Sequence, residues 1–310
     1  MEIKEHYVPK CYLKRWCDKK ERLYVFNKEN NKCWKRNVIG VGCEGKYYDI
    51  PVEKLSKKAL DLLHEHNFFP ENDEYFIETF LSEQLEDEYS KLLNKIIDIE
   101  ISPWREKTCY FINEQDKFLM SICLAYQAIR SPQTRKSIKN TSSGIEQMIR
   151  GMNVDEGAKE RAIKTYKLGE TDEKVIQGNL LFDLDEVFDL TVRFYELSWV
   201  LGVNKTNMLL YTSDNPIGMY SNLRKAMGNI HSIVNPEVEV FFPLSPRYIL
   251  LMRNPYYYKD FLSRDRKYME LDKAYMKKYN ALCLNNCTQY IYSKEDDFEF
   301  VENILKSEGK

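Results

Sequence analysis

Glu78 is a carboxylate in a place where a folded helix does not want one. The apolar residues Ile77, Leu81, Leu85, Tyr89, Leu92 and Ile96 recur at helical spacing. Stepping about 100° per residue from Ile77 puts Glu78 inside that stripe, beside Leu85 and Ile96. Glu88 falls near the edge of the stripe, and Glu83 and Glu86 fall on the polar side. An ionised carboxylate on a buried face is costly unless it is paired, protonated or bound to a cation. An ion pair near the helix N-terminus and a functional role are both open explanations.

The next helical pattern repeats the anomaly with the opposite sign. Phe118, Leu119, Ile122, Tyr126 and Ile129 define a stripe that also contains Arg130, so Arg130 should point inward. Ser131-Pro132 follows at once, and a residue before proline is biased out of helical geometry, which puts Arg130 at a helix end or kink. A guanidinium suits fork-like binding of carboxylate or phosphate. The structural alternative is a buried pair with Glu78 or Asp214.

Asp214 stands in Thr212-Ser213-Asp214-Asn215-Pro216, directly after the apolar run Met208 to Tyr211. Polar side chains at a strand end are a usual location for a site, although the same residues also make turns. Ile217 replaces the second proline of an amino-methyltransferase motif, and no Gly-rich nucleotide loop precedes it, so that chemistry is set aside. His6 is one of four histidines and opens an apolar stretch; a lone histidine is more often structural than catalytic. His64 and His66 diverge on a helix and are not used. There is no P-loop, G-x-G-x-x-G, H-E-x-x-H or G-x-S-x-G.

The remaining set suits phosphodiester cleavage. His6 would be general base or acid, Glu78 and Asp214 its partner carboxylates, and Arg130 the phosphate holder. Tyr7 and Tyr12 would line the site, with Asn215, Ser245 and Asn280 as polar support. Glu78, Asp214 and His6 also fit a divalent-metal nuclease, and the ion would be a hard one such as Mg or Mn, because no thiolate cluster has suitable spacing. His6 and Asp214 should then meet at a sheet edge. The competing reading, from another class, is a non-catalytic sensor or binding module in which the same residues hold a small anionic ligand, contact a protein partner or form a structural network.

Positioning these residues requires a mixed α+β fold, with long helices in the middle of the chain packed on a mainly antiparallel sheet. Leu23 to Phe26 and the Cys33-Trp34 segment read as a hairpin, and Tyr47-Tyr48 as a further short strand. Helical patterns run over Val52–His66, Asp73–Glu100, Asn113–Ile138 and Asp172–Leu201. Met208 to Thr212, Val238 to Phe242, Tyr248 to Met252 and Gln289 to Tyr292 read as strands, with helices over Leu271–Asn286 and Asp296–Lys306. No Pro/Gly/Ser-rich linker divides the 310 residues, so one domain is expected, made of segments 1–50, 51–202 and 203–310.

Several of these residues also lie in recognisable blocks. His6-Tyr7-Val8-Pro9, Tyr12-Leu13 and Trp16, then Glu78 with Glu86, Arg130-Ser131-Pro132, Trp199, Ser213-Asp214-Asn215-Pro216, Pro243 to Pro246, Asn280 and Tyr292-Ser293 fall in one order. In this the chain resembles a bacterial family of unknown function with an opening His-x-Val-Pro-x-x-Tyr-Leu signature and a later Ser-Asp-Asn-Pro motif. The resemblance covers nearly the whole chain. By association it implies a role in bacterial defence or a toxin-like locus.

Composition bounds the rest. With 43% hydrophobic and 30% charged residues the chain has the make-up of an ordinary globular protein. A net charge of -2 gives no global field to steer polyanions, which argues for single-stranded nucleic acid or RNA over duplex DNA. Local basic sites remain open at Lys10, Lys14 and Arg15, and at Arg130, Arg135, Lys136 and Lys139. The eight cysteines include no C-x-x-C pair and read as reduced thiols. No apolar leader segment and no bilayer-length run stand out, so a cytoplasmic location is expected.

Overall fold

The structure is a computed structural model that describes residues 4–97 and 109–307. Its architecture is α+β, with helices filling the middle of the chain and a mainly antiparallel sheet in the C-terminal third. No helix among the described residues is long and apolar enough to cross a membrane.

Strands β1 (Lys4–His6), β2 (Arg22–Asn27), β3 (Lys32–Asn37) and β4 (Cys43–Gly45) come from the amino-terminal segment. The later part gives β5 (Ser198–Asn204), β6 (Thr212–Ser213), β7 (Gly218–Ser221), β8 (Ala226–Met227), β9 (Val238–Ser245), β10 (Tyr248–Arg253), β11 (Lys267–Leu271) and β12 (Tyr290–Ser293). Their orders are β11-β5-β10-β9-β7-β8 in one sheet, β3-β2-β12-β6 in a second, and β1-β4 as a separate pair. The β2–β3 hairpin therefore joins the late strand β12 rather than the larger sheet. Among the described residues only β11 and β5 pair in parallel.

The helices differ from the sequence pattern at their joints. The Asn113–Ile138 pattern is two helices, Glu114–Ile129 and Pro132–Gly151, because Ser131 caps the second by accepting from the Thr134 N–H and Pro132 occupies its first turn. Val52–His66 is likewise split: a 3₁₀ turn covers Val52–Lys54, and Ser56 caps a helix over Lys57–Glu65. Helix Glu156–Tyr166 was not anticipated.

The Asp172–Leu201 pattern fails more substantially. Helices Glu170–Phe182 and Leu184–Glu196 are followed by strand β5. Every residue of β5 is buried, so it lacks the alternation that marks a strand, and a short apolar run cannot be told from buried helix by periodicity alone. Gly202 fits there because a Cβ would meet Ile249 and Leu271 at 2.8 Å. Tyr47-Tyr48 lies in a turn after β4, and of the Met208–Thr212 run only Thr212 enters a ladder. The end of the Asp73–Glu100 pattern, at 98–100, lies outside the described residues.

Candidate active site around His6 and Glu78

The site begins with the short ladder between β1 and β4, in which His6 stands directly opposite Cys43. The chain reaches β4 through Gly42, whose φ is +65°. A Cβ there would sit 2.9 Å from the Val8 Cβ, so glycine is required by both conformation and space. The Gly42 carbonyl accepts from the Tyr7 and Val8 N–H groups, each at 3.0 Å. Opposed residues of an antiparallel pair project to the same side, so the His6 ring and the Cys43 sulfur share one face.

Glu78 fixes the other side of the ring. The His6 N–H donates to Glu78 Oε2 at 2.8 Å, and His6 Nδ1 lies 2.9 Å from Glu78 Oε1. A carboxylate accepts only, so Nδ1 carries a proton and, in the neutral ring, Nε2 is the basic nitrogen. Nε2 is buried with no hydrogen-bond partner, and the Cys43 thiol is near enough to the ring to act on it. Burial lowers the pKa of the ring, but Cys43 and Glu78 outweigh burial and lift it to about 9.

Glu86 also faces this centre, against the sequence expectation. The segment Ser82–Glu86 is a π turn between helices Phe76–Leu81 and Asp87–Ile97. A π turn inserts an extra residue, so Glu78 and Glu86 become equivalent to positions seven apart, about two helical turns, and share a face. Arg130, the C-cap of helix Glu114–Ile129, brings Nη1 within 3.6 Å of Glu86 Oε1. Its Nε and Nη2 donate to Gln127 Oε1 at 3.3 and 3.2 Å, and Gln127 in turn donates to the Tyr7 carbonyl at 3.1 Å. Arg130 does point inward, and its partner is Glu86 rather than Glu78 or Asp214.

The centre is under-satisfied. Glu5 Oε1, His6 Nε2, Tyr89 Oη and Arg130 Nη1 are all buried without a hydrogen-bond partner. Burial, with the Glu78 charge adding to it, raises the Glu5 carboxyl to about 7, while the Tyr48 N–H donated to its other oxygen opposes this. Glu86 is raised for the same reason, burial first, with Arg130 opposing and Glu78 adding. Such a cluster is unusual in a folded interior and marks a place that a polar group could enter.

A cleft of about 590 Å³ lies beside it, lined by Lys10, Lys14, Arg15, Glu21, Ile39 and Asn94 among others. Lys10 acts on Glu86, and Cys11 on the cleft wall feels both Glu86 and Arg130. Lys14 pairs with Glu21 at 2.8 Å, and Arg15 donates to Asn94. The first of the two basic groups read from the sequence therefore forms one wall. Of the second, Arg135 stacks on Tyr47 and donates to the Tyr47 carbonyl and to Gln177.

Asp214 is held elsewhere. Its carboxylate accepts the backbone N–H groups of Thr288, Gln289 and Tyr290 at 2.8, 2.6 and 2.9 Å. Burial pushes its carboxyl up, against those three donors, which favour the ionised form. No hydrogen bond or ion pair joins it to His6, Glu78 or Arg130, and its charge is felt by Tyr7 and Tyr292. Asp214 thus closes the β6–β12 junction.

The supporting residues are similarly engaged. The Tyr12 hydroxyl meets Thr212 Oγ1 and the Pro243 carbonyl at 2.6 Å each. Asn280 accepts from the Tyr211 N–H and donates to the Leu209 carbonyl. Asn215 and Asn286 exchange side-chain to carbonyl bonds, and Ser245 accepts from the Arg247 N–H. Tyr7 packs on Tyr47, ring centroids 5.0 Å apart. Among the described residues no three or more His, Cys, Asp or Glu side chains are grouped to hold a metal ion; Glu78, Asp214 and His6 do not form the ligand set expected for Mg or Mn. Sequence reasoning missed Cys43 and Glu86, since a strand register reveals the first and a π turn the second.

No curated protein and no solved structure matches the chain. A family model does, over residues 4–297, with the description "Protein of unknown function (DUF4238)". With nearly its whole length matched, the chain belongs to the DUF4238 family.

Proposed function

We propose that the protein binds a single-stranded, phosphate-bearing polymer of RNA type in the Lys10, Lys14 and Arg15 cleft and cleaves its phosphodiester bond. The observation that carries this reading is a cleft lined by three cationic side chains, of which Lys10 acts on Glu86, in a centre that also holds a buried, oriented His6–Glu78 pair and an Arg130 Nη1 without a hydrogen-bond partner. A guanidinium suits the charge on phosphate, and an imidazole oriented by a carboxylate suits the proton transfers. The ribose 2′-hydroxyl of such a polymer supplies a nucleophile that needs no metal ion. In the neutral form of the ring, whose share grows as pH approaches about 9, His6 Nε2 would take the hydroxyl proton as O2′ attacks phosphorus, the P–O5′ bond breaks, and the proton passes to the leaving oxygen. RNA is then the substrate and DNA is not.

A second reading, a binding module without catalysis, is favoured by one observation. His6 and Arg130 are each only 3% exposed, so a ligand in the cleft would meet Lys10 and Lys14 first. The test uses labelled single-stranded RNA, single-stranded DNA and duplex DNA of one sequence, with EDTA and with Mg²⁺. The expected result is RNA cleavage in EDTA leaving a 2′,3′-cyclic phosphate, lost in Glu78→Gln. RNA binding without cleavage would select the binding module, and neither binding nor cleavage would overturn both.

A further inference from the structure

We propose that Cys43 is a nucleophilic thiol that attacks the carbonyl carbon of an acyl donor, with His6 as its base and Glu78 as the residue that orients the base. Nothing in this requires RNA to be the substrate of the neighbouring cleft.

Three features place the reacting groups. Cys43 faces His6 across the β1–β4 ladder, a relation made possible by the tight passage at Gly42. Both oxygens of Glu78 are taken up by His6, one by its N–H and one by Nδ1, which leaves Nε2 as the nitrogen able to accept a proton from sulfur. Nε2 is buried, on a residue 3% exposed, and has no other partner, whereas Cys43 is partly exposed. A nucleophile within reach of a base that is itself oriented by a third group is the arrangement that activates cysteine for covalent chemistry.

The step balances without an oxidant. The thiol proton passes to Nε2 before attack, and the resulting thiolate attacks the carbonyl carbon beside the protonated ring. The S–C bond forms, the bond to the leaving group breaks, and the leaving group takes the proton from His6. Water or another acceptor then releases the acyl group from the thioester by the reverse proton traffic. Position also narrows the donor. Cys43 Sγ lies 3.5 Å from the Ile39 carbonyl, and Ile39 lines the cleft of Lys10, Lys14 and Arg15. An acyl donor carrying a negatively charged group would place that group among the cations and its carbonyl toward the sulfur.

The other cysteines serve as controls. Burial pushes Cys11, Cys17 and Cys33 up to about 12, so their thiols are protonated at neutral pH and react slowly. The experiment is limiting iodoacetamide labelling of the full chain with peptide mass mapping between pH 5.5 and 8, followed by p-nitrophenyl acetate as an acyl probe. We expect Cys43 to label at least about tenfold faster than those three at every pH in that range. We also expect one acetyl group on Cys43, absent in Cys43→Ser and much reduced in Glu78→Gln. Labelling of Cys43 no faster than that of Cys11, Cys17 and Cys33 overturns the proposal. So does acetylation spread evenly over the cysteines. The labelling rates are read on the wild type, so the test survives if Glu78→Gln does not fold.

Discussion

Glu78 embraces a single residue, holding the His6 main chain at 2.8 Å with one oxygen and the His6 ring at 2.9 Å with the other. One side chain therefore anchors the first strand to a helix and sets the tautomer of the histidine. Glu78→Ala would leave two donors of a 3%-exposed residue without acceptors. It should cost about 2–4 kcal/mol, read as a lower urea midpoint at unchanged slope. Glu78→Gln keeps one acceptor and should cost less; equal losses for the two would show that the anchoring does not depend on these hydrogen bonds.

Stability should fall as pH rises from mildly acidic to alkaline. His6 is raised from 6.5 to about 9 and Glu5 from 4.5 to about 7. For a group whose folded pKa lies above its unfolded value, the folded state binds the extra proton. The stabilisation is complete below the unfolded value and is lost as pH rises through the folded one. Glu5 thus contributes between about 4.5 and 7, and His6 between about 6.5 and 9. Urea unfolding at pH 5.5, 7 and 9 should give a decline on the order of 2 kcal/mol across the His6 window. A flat or rising profile would contradict the burial of Glu5 and the hold of Glu78 and Cys43 on the His6 ring.

Arg130 and Glu86 should be coupled. Arg130→Ala strands a buried carboxylate and should cost about 3–5 kcal/mol. Adding Glu86→Gln removes the stranded charge and should recover more than about 1 kcal/mol of that loss, measured as a double-mutant cycle in urea. Additive losses would mean that the 3.6 Å approach carries no energy.

Asp214 is expected to be structural. Asp214→Ala leaves the N–H groups of Thr288, Gln289 and Tyr290 without their acceptor and should cost about 3 kcal/mol or more, enough to lower soluble yield. Asp214→Asn retains acceptor oxygen and should stay folded with RNA cleavage intact. Loss of cleavage in a fully folded Asp214→Asn protein would return this residue to the catalytic set.

How much of this was legible follows from the range of each signal. Glu78 and Arg130 could be read because a helix repeats its face every few residues, and their inward direction needs only their own neighbours. Glu86 could not, since one extra residue in the turn before it displaces the phase from which its direction is counted. Asp214 looked catalytic because Ser, Asp, Asn and Pro at a strand end serve sites and turns alike; its real partners lie at 288–290, a contact that no local pattern encodes. Cys43 was invisible for a similar reason. Its relation to His6 exists only in the pairing of two three-residue strands. The β2–β3 hairpin was readable, though with shorter strands than it has, because its turn and both strands are contiguous.

The π turn also bears on which changes of chain length the protein can tolerate. Ser82, Glu83 and Gln84 are exposed, so their identities are free to drift. Their number matters more. Removing one of them gives an unbroken α-helix in which Glu78 and Glu86 stand seven apart, so the downstream face is kept. Adding one instead rotates everything downstream by about 100°. Tyr89, Leu92, Leu93 and Ile96, which are buried, would then swing away from the core, and Glu86 would turn from Arg130. The segment already carries one residue more than the helix needs, so a lost codon there should do less harm than a gained one.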